Sequence, residues 1–153
     1  MKLSLEIQKL AEYGVQKQLI REKFGDRPVL RALHFMEDHK KAGLEVEALE
    51  KGDFEGFKKL IRSSGDSSYK YLQNVYPSSQ PMAQSLSIGL AVSELVLGEK
   101  GACRVHGGGF AGTIQAFVPE DMVEDYRKAM DDLFGEGSCH VLQVRKYGGI
   151  KVL

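Results

Sequence analysis

Gly107-Gly108-Gly109-Phe110-Ala111-Gly112 puts four glycines into six positions, and no other stretch restricts the fold as strongly. Glycine reaches φ > 0 without a Cβ penalty, so such a run turns the chain sharply or lets another group come close to its backbone. Strand-forming residues flank it: Ala102-Cys103-Arg104-Val105-His106 before, Thr113-Ile114-Gln115-Ala116-Phe117-Val118 after. The letters satisfy G-x-G-x-x-G at Gly107, Gly109 and Gly112, but a dinucleotide fingerprint needs a helix directly after the loop. A strand pattern follows instead, and Asp131 and Asp132 fall within a helical pattern rather than ending a second parallel strand. A protein-kinase glycine loop does lie between antiparallel strands, yet no HRD segment follows here, and Asp53-Phe54-Glu55-Gly56 precedes the loop at a helix start. No G-K-[ST] is present, which excludes a Walker loop. Two roles stay open: a tight hairpin with close backbone packing, and a nest of N–H groups for an anion.

The first half of the chain has helical spacing. Leu3, Ile7, Leu10 and Ala11 start it, and Gly25-Asp26-Arg27-Pro28 predicts a break with Pro28 in the next first turn. That helix continues through Leu30, Leu33, Met36, Leu44, Val46 and Leu49. Gly52 suits a left-handed residue after it, and Asp53 suits the next N-cap. Phe54, Phe57, Leu60 and Ile61 then form one apolar stripe. Ser63 to Ser68 predicts a loop by composition, and Tyr76 to Pro81 a second break. Met82 to Leu97 is apolar on more than one face, the pattern of a buried helix. Pro119 opens a helix with Glu120 and Asp121 at its positive end, a stripe through Tyr126, Met130 and Phe134, and Gly135 as its stop. Cys139–Val144 and Gly149–Leu153 predict two more strands. The expected class is α+β: a helical part over 1–80, then helix, glycine loop and a small, mostly antiparallel sheet over 81–153, with helices on one face.

The 21 Lys and Arg balance 21 Asp and Glu, which excludes a broadly basic nucleic-acid binder. Cys103 and Cys139 form no CxxC pair and fit a reducing compartment, so a cytoplasmic location is expected. Glu6 interrupts any signal-peptide core, and the weakly charged stretch Tyr71–Gly98 has too short an apolar part for a membrane span. His34 and His39 are five apart, which is not the spacing of a helical metal pair, and no metal site is expected.

With the loop between strands, the sequence resembles the C-terminal domain of the GHMP small-molecule kinases, the galactokinases most of all. Their third motif, R-M-T-G-G-G-F-G-G-C, is matched by Arg104-Val105-His106-Gly107-Gly108-Gly109-Phe110-Ala111-Gly112-Thr113. Their helical run R-A-x-H, then E, then A-L-x-x-G-D-x-x-x-F-G-x-L-M is matched by Arg31-Ala32-Leu33-His34, Glu37, Ala48-Leu49, Gly52-Asp53, Phe57 and Leu60-Ile61. Gly148-Gly149-Ile150-Lys151-Val152-Leu153 is similar to their final G-x-K-V strand. The likeness covers Arg31 to Leu153. Val105-His106, Ala111 and Thr113 depart from the third motif, and Tyr69–Ser79 lacks the family's acidic segment. The family's P-x-x-x-G-L-G-S-S-A phosphate loop is nowhere in these 153 residues.

The resemblance implies a single C-terminal-type domain over 1–153, with a ferredoxin-like sheet and the N-terminal ATP-binding half absent. In the complete enzyme it implies phosphoryl transfer from MgATP to the anomeric hydroxyl of galactose or a related sugar, with no catalytic residue on this chain and no cofactor held tightly by it. The implied substrate and nucleotide contacts are Gly107, Gly108, Gly109, Phe110, Ala111 and Gly112, flanked by His106 and Arg104. Arg104 serves either phosphate charge or a structural ion pair. An apolar surface left uncovered without the other half would promote a homodimer. The alternative is a stand-alone, non-catalytic ligand-binding or regulatory α+β domain.

Overall fold

Pro28, Gly52 and Asp53 punctuate the helical half as their chemistry dictates. In the computed structural model, which describes residues 18–110 and 112–144, residues 18–24 are helical and α1 spans Arg27–Glu50 with Pro28 in its first turn. Gly52 takes φ +68° after the helix end. The Asp53 carboxylate accepts the Gly56 N–H at 2.8 Å and caps α2, Phe54–Ser67. The helix expected over residues 3–11 lies outside the described residues.

Ser63–Ser68 is not a loop. α2 runs through Ser67 and continues as one π turn, Ser68–Leu72. The serines that suggested a break are instead packing residues, for Ser64, Ser67 and Ser68 are buried. A methyl group at Gly65 would sit 3.2 Å from the Cys103 carbonyl oxygen and 3.3 Å from Arg104 Cβ, so the missing side chain lets the helix lie against the strand. His34 Nδ1 lies 3.0 Å from Ser67 Oγ and ties α1 to α2 at the same level. Within the expected stripe, Phe57 and Ile61 are buried while Phe54 is exposed.

The hairpin is built as its flanking residues require. β1, Ala102–Val105, pairs antiparallel with β2, Ile114–Phe117, placing Ala102 opposite Phe117 and Val105 opposite Ile114. Successive side chains alternate between its two faces. Ala102 and Phe117 pack with Ala48, Phe57 and Ile61 of α1 and α2. Val105 and Ile114 pack with Leu86 and Leu90 of α3, Ser85–Leu97. The expectation of helices on one face is therefore corrected: helices cover both. Cys103 and Val105 make one face of β1 apolar; on the other, Ala102 is buried against Phe57 and Ile61, and Arg104 meets Glu45 of α1 rather than water.

α3 is apolar all round but packed on one side. Leu86, Gly89, Ser93 and Leu97 are buried, whereas Ile88 is exposed and Leu95 is 83% exposed. After Pro119, a 3-10 turn at Glu120–Met122 leads into α4, Val123–Phe134, and Gly135 ends it at φ +102°. Tyr126 and Met130 close over Leu97. The Tyr126 hydroxyl lies 2.8 Å from Ser93 Oγ, which in turn donates to the Gly89 carbonyl, so these buried hydroxyls are satisfied.

The strand expected over Cys139–Val144 does not form; among the described residues the sheet has two strands. Its start is held instead by Asp131, whose Oδ1 accepts from Ser138 Oγ and the Cys139 N–H at 3.1 Å each. Residues 141–144 follow with their apolar side chains exposed, because strand-forming residues make a strand only against a partner edge. The strand expected over Gly149–Leu153 lies outside the described residues. The class is α+β and mostly helical. No helix among the described residues is long and apolar enough to cross a membrane.

Candidate functional site

The glycine run connects the two strands of the hairpin, and its root is fixed. The His106 N–H donates to the Thr113 carbonyl at 3.1 Å, continuing the ladder one step beyond Val105 and Ile114. Above that bond Gly107, Gly109 and Gly112 take φ of +61°, +68° and +87°. Phe110 joins them at +52°, a conformation that a bulky L residue rarely adopts.

What holds Phe110 there is Asn74. The Asn74 carbonyl accepts the Phe110 N–H at 2.9 Å, and a methyl group at Gly109 would overlap the Asn74 carbonyl oxygen and carboxamide. Gly109 therefore has both reasons to be glycine, a positive φ and a backbone in contact with its cover. Gly107 has only the first, since a Cβ there would meet open space. Asn74 follows Gln73, which leaves the π turn at φ +55°. Gln73 and Phe110 are the two non-glycine residues with positive φ among the described residues, and they flank one contact.

The remaining expected site residues divide. Arg104 is committed below the loop: its Nη1 lies 2.9 Å from Glu45 Oε1 on α1, and its Nε reaches Gln115 Oε1 at 3.4 Å. Of its two open roles, the geometry fills the ion pair. His106 is exposed at the loop root, and Phe110 presents a half-exposed ring at the tip. Ala111 lies outside the described residues. Asn74 has no motif to mark it; its one sequence signal is a carboxamide just past a helix end, where a left-handed turn is common.

The nucleophilic and titratable groups elsewhere are quiet. Burial pushes the Cys103 thiol up to about 11, and burial also raises Cys139, so neither is a ready thiolate. Burial lowers His34 against the opposing attraction of Asp38. His39 stacks on Phe35, so the two helical histidines serve different surroundings. An open groove of about 550 Å³ between α2, α3 and the start of β1, lined in part by Tyr69, Lys70 and Ser87, does not include the loop.

No family model matches the chain, and no solved structure matches it. Among curated proteins, the chain is 32% identical over 102 residues to the galactokinase of Haemophilus influenzae strain Rd. It is 30% identical over 102 residues to the galactokinase of Mannheimia succiniciproducens. Each match takes in 67% of this chain and 25% of the relative, so the chain spans about a quarter of the length of the relatives it matches. Over two thirds of its length the chain is thus galactokinase-like in sequence.

Proposed function

We propose that this chain is the C-terminal, substrate-side part of a galactokinase-like GHMP kinase, a single C-terminal-type domain over residues 1–153 of a cytoplasmic enzyme. One observation carries the reading: a glycine loop, anchored at Asn74 and rooted on an antiparallel hairpin, in a chain 32% identical to a galactokinase over 102 residues. The complete enzyme transfers a phosphoryl group from ATP, with magnesium, to the anomeric hydroxyl of galactose or a related sugar. Such chemistry rests mostly on positioning and charge stabilisation.

Gly107, Gly108, Gly109, Phe110, Ala111 and Gly112 form a wall beside the phosphate and sugar pockets. Without side chains at most of these positions, the wall can stand within hydrogen-bonding reach of a phosphoryl oxygen. His106 offers its exposed ring from the loop root. Arg104 acts indirectly, bracing the root against α1 through Glu45. Residues 104–113 carry main-chain donors and no carboxylate, which suits phosphoryl oxygens and supplies no magnesium ligand. Magnesium ligands and the catalytic carboxylate are accordingly assigned to the N-terminal half. That half is also the cover we assign to the exposed positions Ile88 and Leu95 of α3.

A thermal-shift series with galactose, ATP and magnesium tests the reading. The chain alone should shift by less than about 1 °C, because half a pocket binds weakly. Galactose phosphorylation should arise only when an N-terminal galactokinase half is supplied. Strong stabilisation of the chain alone, near the ~2.7 kcal/mol given by ligand at about 100 times its Kd, would favour a stand-alone ligand-binding domain.

A further inference from the structure

Asn74 has a feature that folding does not account for. It is 2% exposed, and both its Nδ2 and its Oδ1 are buried without a hydrogen-bond partner. Buried carboxamides are nearly always satisfied, because an unpaired donor or acceptor forfeits its bonds to water and gains nothing in return. The neighbourhood below is apolar: Val75, Leu86 and Val105 form a buried cluster immediately beneath the loop. An apolar side chain of similar shape would suit that setting better. The carboxamide lies against Gly109, so the glycine loop is what its unused groups face.

The loop has the freedom to respond. Gly107, Gly108 and Gly109 are consecutive, and their peptide units rotate without a Cβ clash. Their alternation of φ, positive at 107 and 109 but not at 108, is that of a concave nest of N–H groups. Phe110 and Gln73, both in the left-handed region, border the contact on its two sides. Strain of this kind, next to an unsatisfied buried amide donor, points to a second arrangement of the loop in which that donor is used.

We propose that Asn74 is the positioning residue of the glycine loop for a phosphoryl-type anion, an inference that rests on the substrate-side reading above. In the anion-bound arrangement a peptide unit within Gly107–Phe110 rotates. Its carbonyl accepts from Asn74 Nδ2, and the neighbouring N–H groups turn to the anion. The Asn74 carbonyl keeps its bond to the Phe110 N–H in both arrangements and serves as the pivot. Asn74 touches the loop and not the anion, so its contribution is to fix the donors in place.

The test is an NMR titration of the whole chain with inorganic pyrophosphate, following the backbone amides of Gly107–Phe110 and the Asn74 side-chain NH2. The expected result is that both sets move on one saturation curve. In Asn74→Leu, which keeps the bulk and removes both polar atoms, the apparent affinity should fall about tenfold, the worth of roughly one hydrogen bond, while the melting temperature stays level or rises. A merely structural asparagine would instead lower the melting temperature and leave affinity unchanged, which overturns the proposal. Loop amides that move while the Asn74 NH2 stays still overturn it too, as do loop amides that never move. If Asn74→Leu does not fold, the wild-type titration decides by itself. The probe contains no sugar and the readout no turnover. Failure here therefore leaves the kinase reading to its own assay, and strong stabilisation by galactose alone would sink that reading by a result distinct from the loop's response to pyrophosphate.

Discussion

Two stretches of this chain are rich in small residues, and they do opposite things. Ser63–Ser68, Ser-Ser-Gly-Asp-Ser-Ser, lies in α2 and its π extension, pressed against a strand. In the glycine run, Gly107, Gly109, Phe110 and Gly112 take positive φ. Gly65 and Gly109 both lie against other backbone, at Cys103 and Asn74 respectively, yet only Gly109 also needs a left-handed φ. Small residues signal close approach in both places. What separates a helix from a turn is the context: α2 carries Phe57 and Ile61 to bury on the same face, whereas the loop is bounded by two paired strands.

Substitutions sharpen the contrast, in falling order of effect. Gly109→Val adds bulk into the Asn74 carbonyl and forces a β-branched residue to φ +68°, and should cost about 3 to 5 kcal/mol in urea unfolding. Gly65→Val has no φ to violate and only crowds β1, so about 2 kcal/mol is expected. A larger loss at Gly65 than at Gly109 would break the comparison. Ser67→Ala leaves buried His34 Nδ1 without its partner and should cost about 1 to 2 kcal/mol by the same assay. Gly107→Ala meets open space and pays only for its conformation, about 1 kcal/mol.

The smallest effect is a dependence on pH. His34 in the folded chain has a pKa below its ordinary 6.5, chiefly because it is buried. Between the folded and unfolded values the unfolded chain binds a proton that the native chain does not, so stability falls as pH drops through about 6.5. Above that value this contribution is fully present. The unfolding free energies measured in urea at pH 7.5 and 5.5 should differ less in His34→Gln than in the wild type. An equal pH response in both would remove His34 as the cause.

The sequence reveals the hairpin, the helix starts at Pro28 and Asp53, the helix stop at Gly135 and the place of the glycine loop, because each rests on local chemistry. It misleads where tertiary contact overrides composition. Ser64 and Ser67 look like loop residues until β1 and His34 are set against them. Cys139–Val144 has the composition of a strand, but its start is bonded to Asp131 on α4 and pairs with no strand. Ile88 and Leu95 look like core, and only the fold reveals that they are uncovered. Asn74 could not be read from sequence at all, since its meaning depends on a contact 35 residues further along the chain, at Gly109.

Amide hydrogen exchange on the wild-type chain tests the centre of this account most directly. Ser64 and Gly65 should exchange slowly with the core of α2, Gly107 and Gly108 rapidly, and Phe110 slowly despite its place in the loop, because its N–H is held by Asn74. A Phe110 amide as fast as those of Gly107 and Gly108 would mean that the loop is not anchored there, and the site built on that anchor would have to be abandoned.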